Sequence, residues 1–81
     1  MDVGVEISFY PLHEQPLGPI RGLIRRLHEL PGLRVETNSL STQLFGDYDR
    51  VMQAVTEELR AALSVQYRSV VVMKIVGPLE G

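Results

Sequence analysis

Asn38, Ser41 and Thr42 put a carboxamide and two hydroxyls into one short stretch, "NSLST", and Ser8 and Tyr10 add two more hydroxyls toward the end of "EISFY". These groups are suited to holding a ligand. A hydroxyl donates one hydrogen bond and accepts two, and a carboxamide offers both kinds of partner. A few such groups in an apolar slot orient a small polar heterocycle. Nucleophilic catalysis would need a base beside Ser41 or Thr42, and the spacing of His13 and His28 supplies none. His13 falls in a loop, and His28 falls on the polar side of a helix, so both read as surface residues. The chain is expected to have no catalytic residue and not to be an enzyme. Glu6, on the same segment as Ser8 and Tyr10, is a sixth candidate because its carboxylate could face a cationic ligand or Lys74.

Positioning these groups requires a fold, and the composition limits which folds are open. The chain has 81 residues, no cysteine, two histidines and a formal charge of −2. A single domain of this size buries only about 60–65% of its unfolded surface and commonly needs outside support. Without cysteine, disulfides and thiolate metal sites are excluded. Neither a metal nor a cofactor is expected, which leaves self-association as the support. Nucleic-acid binding requires clustered basic residues; Arg21, Arg25 and Arg26 read instead as a solvated helix face. No apolar run approaches the roughly 20 residues of a membrane span, and no signal-peptide pattern opens the chain. A soluble, cytoplasmic protein is expected.

The hydropathy pattern predicts six elements. "VGVEISFY" alternates, with Val3, Val5, Ile7 and Phe9 on one face, as a half-buried strand does. A proline-rich loop leads to a helix from Pro19 to Leu30, with Ile20, Leu23, Ile24, Leu27 and Leu30 as its apolar stripe. Pro31-Gly32 stops it. "LRVETN" and "LSTQLFG" read as a hairpin turning at Asn38-Ser39, where asparagine tolerates positive φ. Asp47 reads as the N-cap of a second helix whose stripe is Val51, Met52, Val55, Leu59 and Ala62 or Leu63. The last strand, "SVVVMKIV", is apolar on both faces apart from Lys74, and "GPLEG" reads as a plain exit.

The order β-α-β-β-α-β predicts one α+β, ferredoxin-like domain over residues 1–81, with strands ordered 4-1-3-2 and both helices on one face. The first strand then runs antiparallel to the third. Ser8 and Tyr10 approach Asn38, Ser41 and Thr42 at one end of the sheet, while Asp47 and Asp49 lie at the other. By alternation Thr42 shares the helix-facing side with Leu40 and Leu44, where its hydroxyl requires a carbonyl or a ligand. Val70, Val72 and the Lys74 stem join Glu6, Ser8, Tyr10, Gln43 and Phe45 on the open face, a surface for a second copy.

"EISFYPL" followed by "TNSLSTQLFGDYDRVMQAV" resembles the YkoF-like thiamine- and hydroxymethylpyrimidine-binding proteins, over about Val5 to Ile75. The resemblance implies a ferredoxin-like fold that binds thiamine or its pyrimidine moiety without converting it, in transport, salvage or sensing. YkoF-like proteins carry two such repeats in one chain and this sequence has one. A homodimer, or a higher homo-oligomer through the sheet, is the natural substitute. An alternative from another class is a protein-interaction or regulatory module that docks through the open sheet.

Overall fold

Val3, Val5 and Ile7 are each at most 3% exposed, and they set the inner face of the first strand, β1 (Asp2–Pro11). In the computed structural model, which describes residues 1–80, β1 is followed by α1 (Leu17–His28), β2 (Arg34–Thr37), β3 (Thr42–Asp47), α2 (Tyr48–Leu63) and β4 (Ser69–Leu79). The strands form one antiparallel sheet ordered β2-β3-β1-β4. This is the ferredoxin-like arrangement expected from the sequence.

The two helices cover the inner face. Leu23 and Leu27 of α1 and Val51 and Val55 of α2 meet Val3, Val5, Ile7 and Leu44 in one apolar cluster. Leu30, Leu33, Val35, Met52 and Leu59 pack against its margin. Ala54 is also buried, although the predicted stripe omitted it. A single methyl adds little to a hydropathy pattern, so the residue does not stand out there.

Local chemistry accounts for the helix ends. α1 begins at Leu17, two residues before Pro19, and the Ile20 N–H donates to the Pro16 carbonyl over 3.1 Å. Pro19 remains within the first turn, where its missing N–H costs nothing. The helix ends at His28, two residues before the expected limit, because Pro31 restricts what precedes it. Gly32 then turns the chain with φ +77°, a conformation that suits glycine. Asp47 caps α2 by accepting from the Arg50 N–H at 3.4 Å, and its other carboxylate oxygen lies 3.6 Å from the amino terminus.

Two sequence expectations need correction. The β2–β3 turn is wider than Asn38-Ser39, since Thr37 pairs with Thr42 and residues 38–41 form the loop. Its asparagine does not use positive φ; Asn38 instead accepts at Oδ1 from the N–H groups of Leu40 and Ser41. Leu40 is therefore outside the strand and 86% exposed, not on the inner face with Thr42. The second correction concerns "GPLEG". β4 continues through Gly77 and Pro78 to Leu79, which pairs with Asp2 after a register shift. Gly77 permits this close approach, as a Cβ there would stand 2.8 Å from Val3 Cγ1.

Candidate functional site

The candidate cleft begins with a mismatch in strand pairing. On one side β1 pairs with β4 as far as Pro11 opposite Ser69. On the other side its pairing with β3 ends at Ile7 opposite Thr42. Ser8, Phe9 and Tyr10 thus have no strand on that flank, and the 38–41 loop closes only part of the gap. The result is a notch of about 250 Å³ at the sheet end. Ile20, Leu23, Ile24 and Leu27 of α1 line one side, and Ile7 and Phe9 line the floor. This lies just below the usual range of about 300–1,000 Å³ for ligand pockets, a size for one flat ring.

Polar groups enter from the β2–β3 turn. Thr42 is 4% exposed and sits on the inner side, as alternation requires. Its hydroxyl is partnered by a side chain, the hydroxyl of Thr37. Thr37 Oγ1 lies 3.0 Å from Thr42 Oγ1, and His28 Nε2 lies 2.8 Å from Thr37 Oγ1. A chain of three side chains therefore runs from the end of α1 into the cleft. His28 is exposed, as expected, and it is also bonded to a hydroxyl of the cleft.

Five of the six candidate residues line the notch: Thr42, Ser41, Asn38, Tyr10 and Ser8. They are not equally free. The Asn38 carbonyl oxygen is occupied by its own turn. Ser8 donates weakly to the Leu40 carbonyl at 3.4 Å, and Ser41 donates to Glu6 Oε2 at 2.9 Å. Tyr10 is half exposed at the rim.

Glu6 does not line the notch. It faces the open side of the sheet opposite Lys74, whose Nζ lies 3.8 Å from Oε1. There it borders a second, shallower hollow of about 430 Å³ with Gly4, Gln43, Phe45, Lys74 and Val76. A Cβ at Gly4 would stand 3.0 Å from the Phe45 ring, so the glycine lets that ring lie across β1. The Arg34 guanidinium stacks on it 4.0 Å from the centroid.

Thr37, His28 and the α1 wall were missed as site residues from the sequence alone. Thr37 and Thr42 become cross-strand neighbours only when the loop is four residues long. Among the described residues no group of three or more His, Asp or Glu side chains could hold a metal ion, and no helix is long and apolar enough to cross a membrane.

Solved structures share this architecture. A Thermotoga maritima protein assigned provisionally to thiamine biosynthesis or salvage is 22% identical, with a TM-score of 0.83 over 96% of this chain and 85% of its own. A hypothetical protein from Methanocaldococcus jannascii is 28% identical, with a TM-score of 0.80 over 99% of this chain and 84% of its own. A domain of unknown function, DUF77, from Bacillus cereus is 18% identical, with a TM-score of 0.78 over 96% and 77%. No protein-family model matches the chain, and no curated protein sequence matches it significantly. At these identities the likeness establishes the fold.

Proposed function

We propose that the protein binds thiamine or its hydroxymethylpyrimidine moiety in the notch beside Thr42 and does not convert it. The observation that carries this reading is the juxtaposition of an apolar wall, Leu23, Ile24 and Leu27, with the buried Thr42 hydroxyl. An aminopyrimidine is flat, carries an amine donor and ring-nitrogen acceptors, and gains from both kinds of surface. Support also comes from the resemblance of "STQLFGDYD" to the YkoF-like proteins and from the thiamine-related description of the Thermotoga structure. The role would be transport, salvage or sensing in the cytoplasm.

Glu6 lies on the far side of Ser41 and is the group that could balance a thiazolium reaching round the sheet end. Tyr10, at the rim, offers an aromatic face to the same cation. Calorimetry with thiamine and with hydroxymethylpyrimidine tests the reading. Saturable heat from either, at sub-millimolar ligand, is expected; a folded sample giving none at millimolar ligand would refute it.

A second reading rests on the open sheet. Val70, Val72 and Val76 are each about half exposed there, on the same strand as Lys74. Such a surface suits a second copy of the chain, giving the homodimer that replaces a tandem repeat. The same face could dock another protein, which would make the chain an interaction or regulatory module. A stable heteromeric complex covering Val72, together with no small-molecule binding, would favour that alternative.

A further inference from the structure

We infer that His28 sets the hydrogen-bonding polarity of the cleft, acting through Thr37 on the Thr42 hydroxyl. Each threonine hydroxyl has one proton, so donor directions along a chain of them are correlated. Thr42 is buried, and the partner found for its proton is Thr37 Oγ1 at 3.0 Å. A buried donor left unpaired is costly. Donation from Thr42 to Thr37 satisfies that requirement. Thr37 is exposed and passes its own proton to His28 Nε2, 2.8 Å away, when that nitrogen is unprotonated.

Protonation of His28 reverses the last link. An imidazolium carries a proton on Nε2 and must donate it to Thr37. The Thr37 proton is released and can turn toward Thr42, which is then free to donate into the cleft. A ligand acceptor facing Thr42, such as a ring nitrogen, favours the protonated state. A ligand donor, such as an amine, favours the neutral one. His28 is thus a positioning residue that selects which edge of a heterocycle the cleft accepts.

The surrounding charges do not interrupt this link. Arg34, Glu36 and Glu6 lie on the opposite face of the sheet, with Arg34 and Glu36 paired at 2.9 Å. On the helix side, Arg26 is paired with Glu58 at 2.8 Å, and Arg50 donates to the Pro31 carbonyl at 2.7 Å. Arg25 and Glu29 flank His28 along its own chain segment.

The functional meaning rests on the notch being the ligand site, but the link itself is testable without ligand. In the labelled full-length chain, nitrogen and methyl NMR resonances would be followed between about pH 5 and 8. Neutral His28 should show an unprotonated Nε2, and the Thr42 methyl should shift with the His28 midpoint. Thr37→Val should abolish the Thr42 shift while His28 still titrates, and Thr37→Ser should retain it. Should Thr37→Val not fold, Thr37→Ala makes the same comparison. A proton on Nε2 in neutral His28 would overturn the inference, as would a Thr42 shift undiminished without the Thr37 hydroxyl. In a second arm, hydroxymethylpyrimidine affinity should change about fivefold across the His28 titration, the lower end of ordinary coupling between sites. That change should vanish in His28→Ala, and an identical pH profile in the variant would refute His28's role. Absence of binding at every pH counts against the thiamine reading, and the NMR result then decides the link by itself.

Discussion

Glu6 holds Ser41 across the end of the sheet. The Ser41 hydroxyl donates to Oε2 over 2.9 Å, and Oε1 lies 3.8 Å from Lys74 Nζ. The two bonds differ in worth. Lys74 is mostly exposed, so its attraction adds little, whereas Ser41 is nearly buried and needs an acceptor. Glu6→Ala should therefore destabilise by about 1 kcal/mol more than Glu6→Gln, which retains an acceptor. Urea unfolding of the two variants measures the difference. If the carboxylate balances a thiazolium, Glu6→Gln should also weaken thiamine more than hydroxymethylpyrimidine.

Thr42→Val keeps the side-chain shape and deletes the hydroxyl. Thr37 is exposed and can rebond to water, so the fold should persist. Ligand affinity measured by calorimetry should fall by about 1 kcal/mol or more. Unchanged affinity would remove Thr42 from the site.

Leu27 serves both the core and the cleft wall and is 1% exposed. Leu27→Ala should cost about 2–5 kcal/mol, a large share of what a small domain possesses. It should also loosen the grip on a pyrimidine ring. Thermal melting and binding measured on the same sample separate these effects.

Asp47→Ala removes the N-cap of α2 and the partner of the amino terminus. The cap bond is long at 3.4 Å and exposed, so a loss of about 0.5–1 kcal/mol is expected. The site is at the other end of the sheet, and ligand affinity should not move. A large affinity change would mean that the two ends are coupled.

Val72→Asp tests the open face. The residue pairs with Ser8 and is about half exposed in the single chain. If two copies meet there, sedimentation should shift from dimer to monomer, because an unpaired carboxylate would enter an apolar contact. A parent chain that already sediments as a folded monomer at micromolar concentration would remove the premise.

The fold was legible because its signals are local. Val3, Val5 and Ile7 alternate, Leu23 and Leu27 recur at helical spacing, and Asp47 stands where a cap belongs. Thr42 was readable as an inward hydroxyl by parity alone. What parity cannot supply is where pairing stops. The placement of Leu40 on the inner face failed for that reason, since the strand begins two residues later. The His28–Thr37–Thr42 chain was hidden for the same reason, as it depends on a four-residue loop and on where α1 ends. β4 outlasted its apparent stop because Gly77 fits against Val3, a contact distant in sequence.

The unequal flanks of β1 also imply how the cavity can be resized. Leu44 stays inside as long as its register with Val5 and Val35 holds, so the β2–β3 ladder can lengthen or shorten at its turn without moving the core. Only every second pair faces inward, so removing the Thr37–Thr42 pair would open the recess by two inward side chains while the cluster around Val5 stays untouched. The size of the recess is thereby a discrete setting on the hairpin, adjustable without renegotiating the rest of the domain.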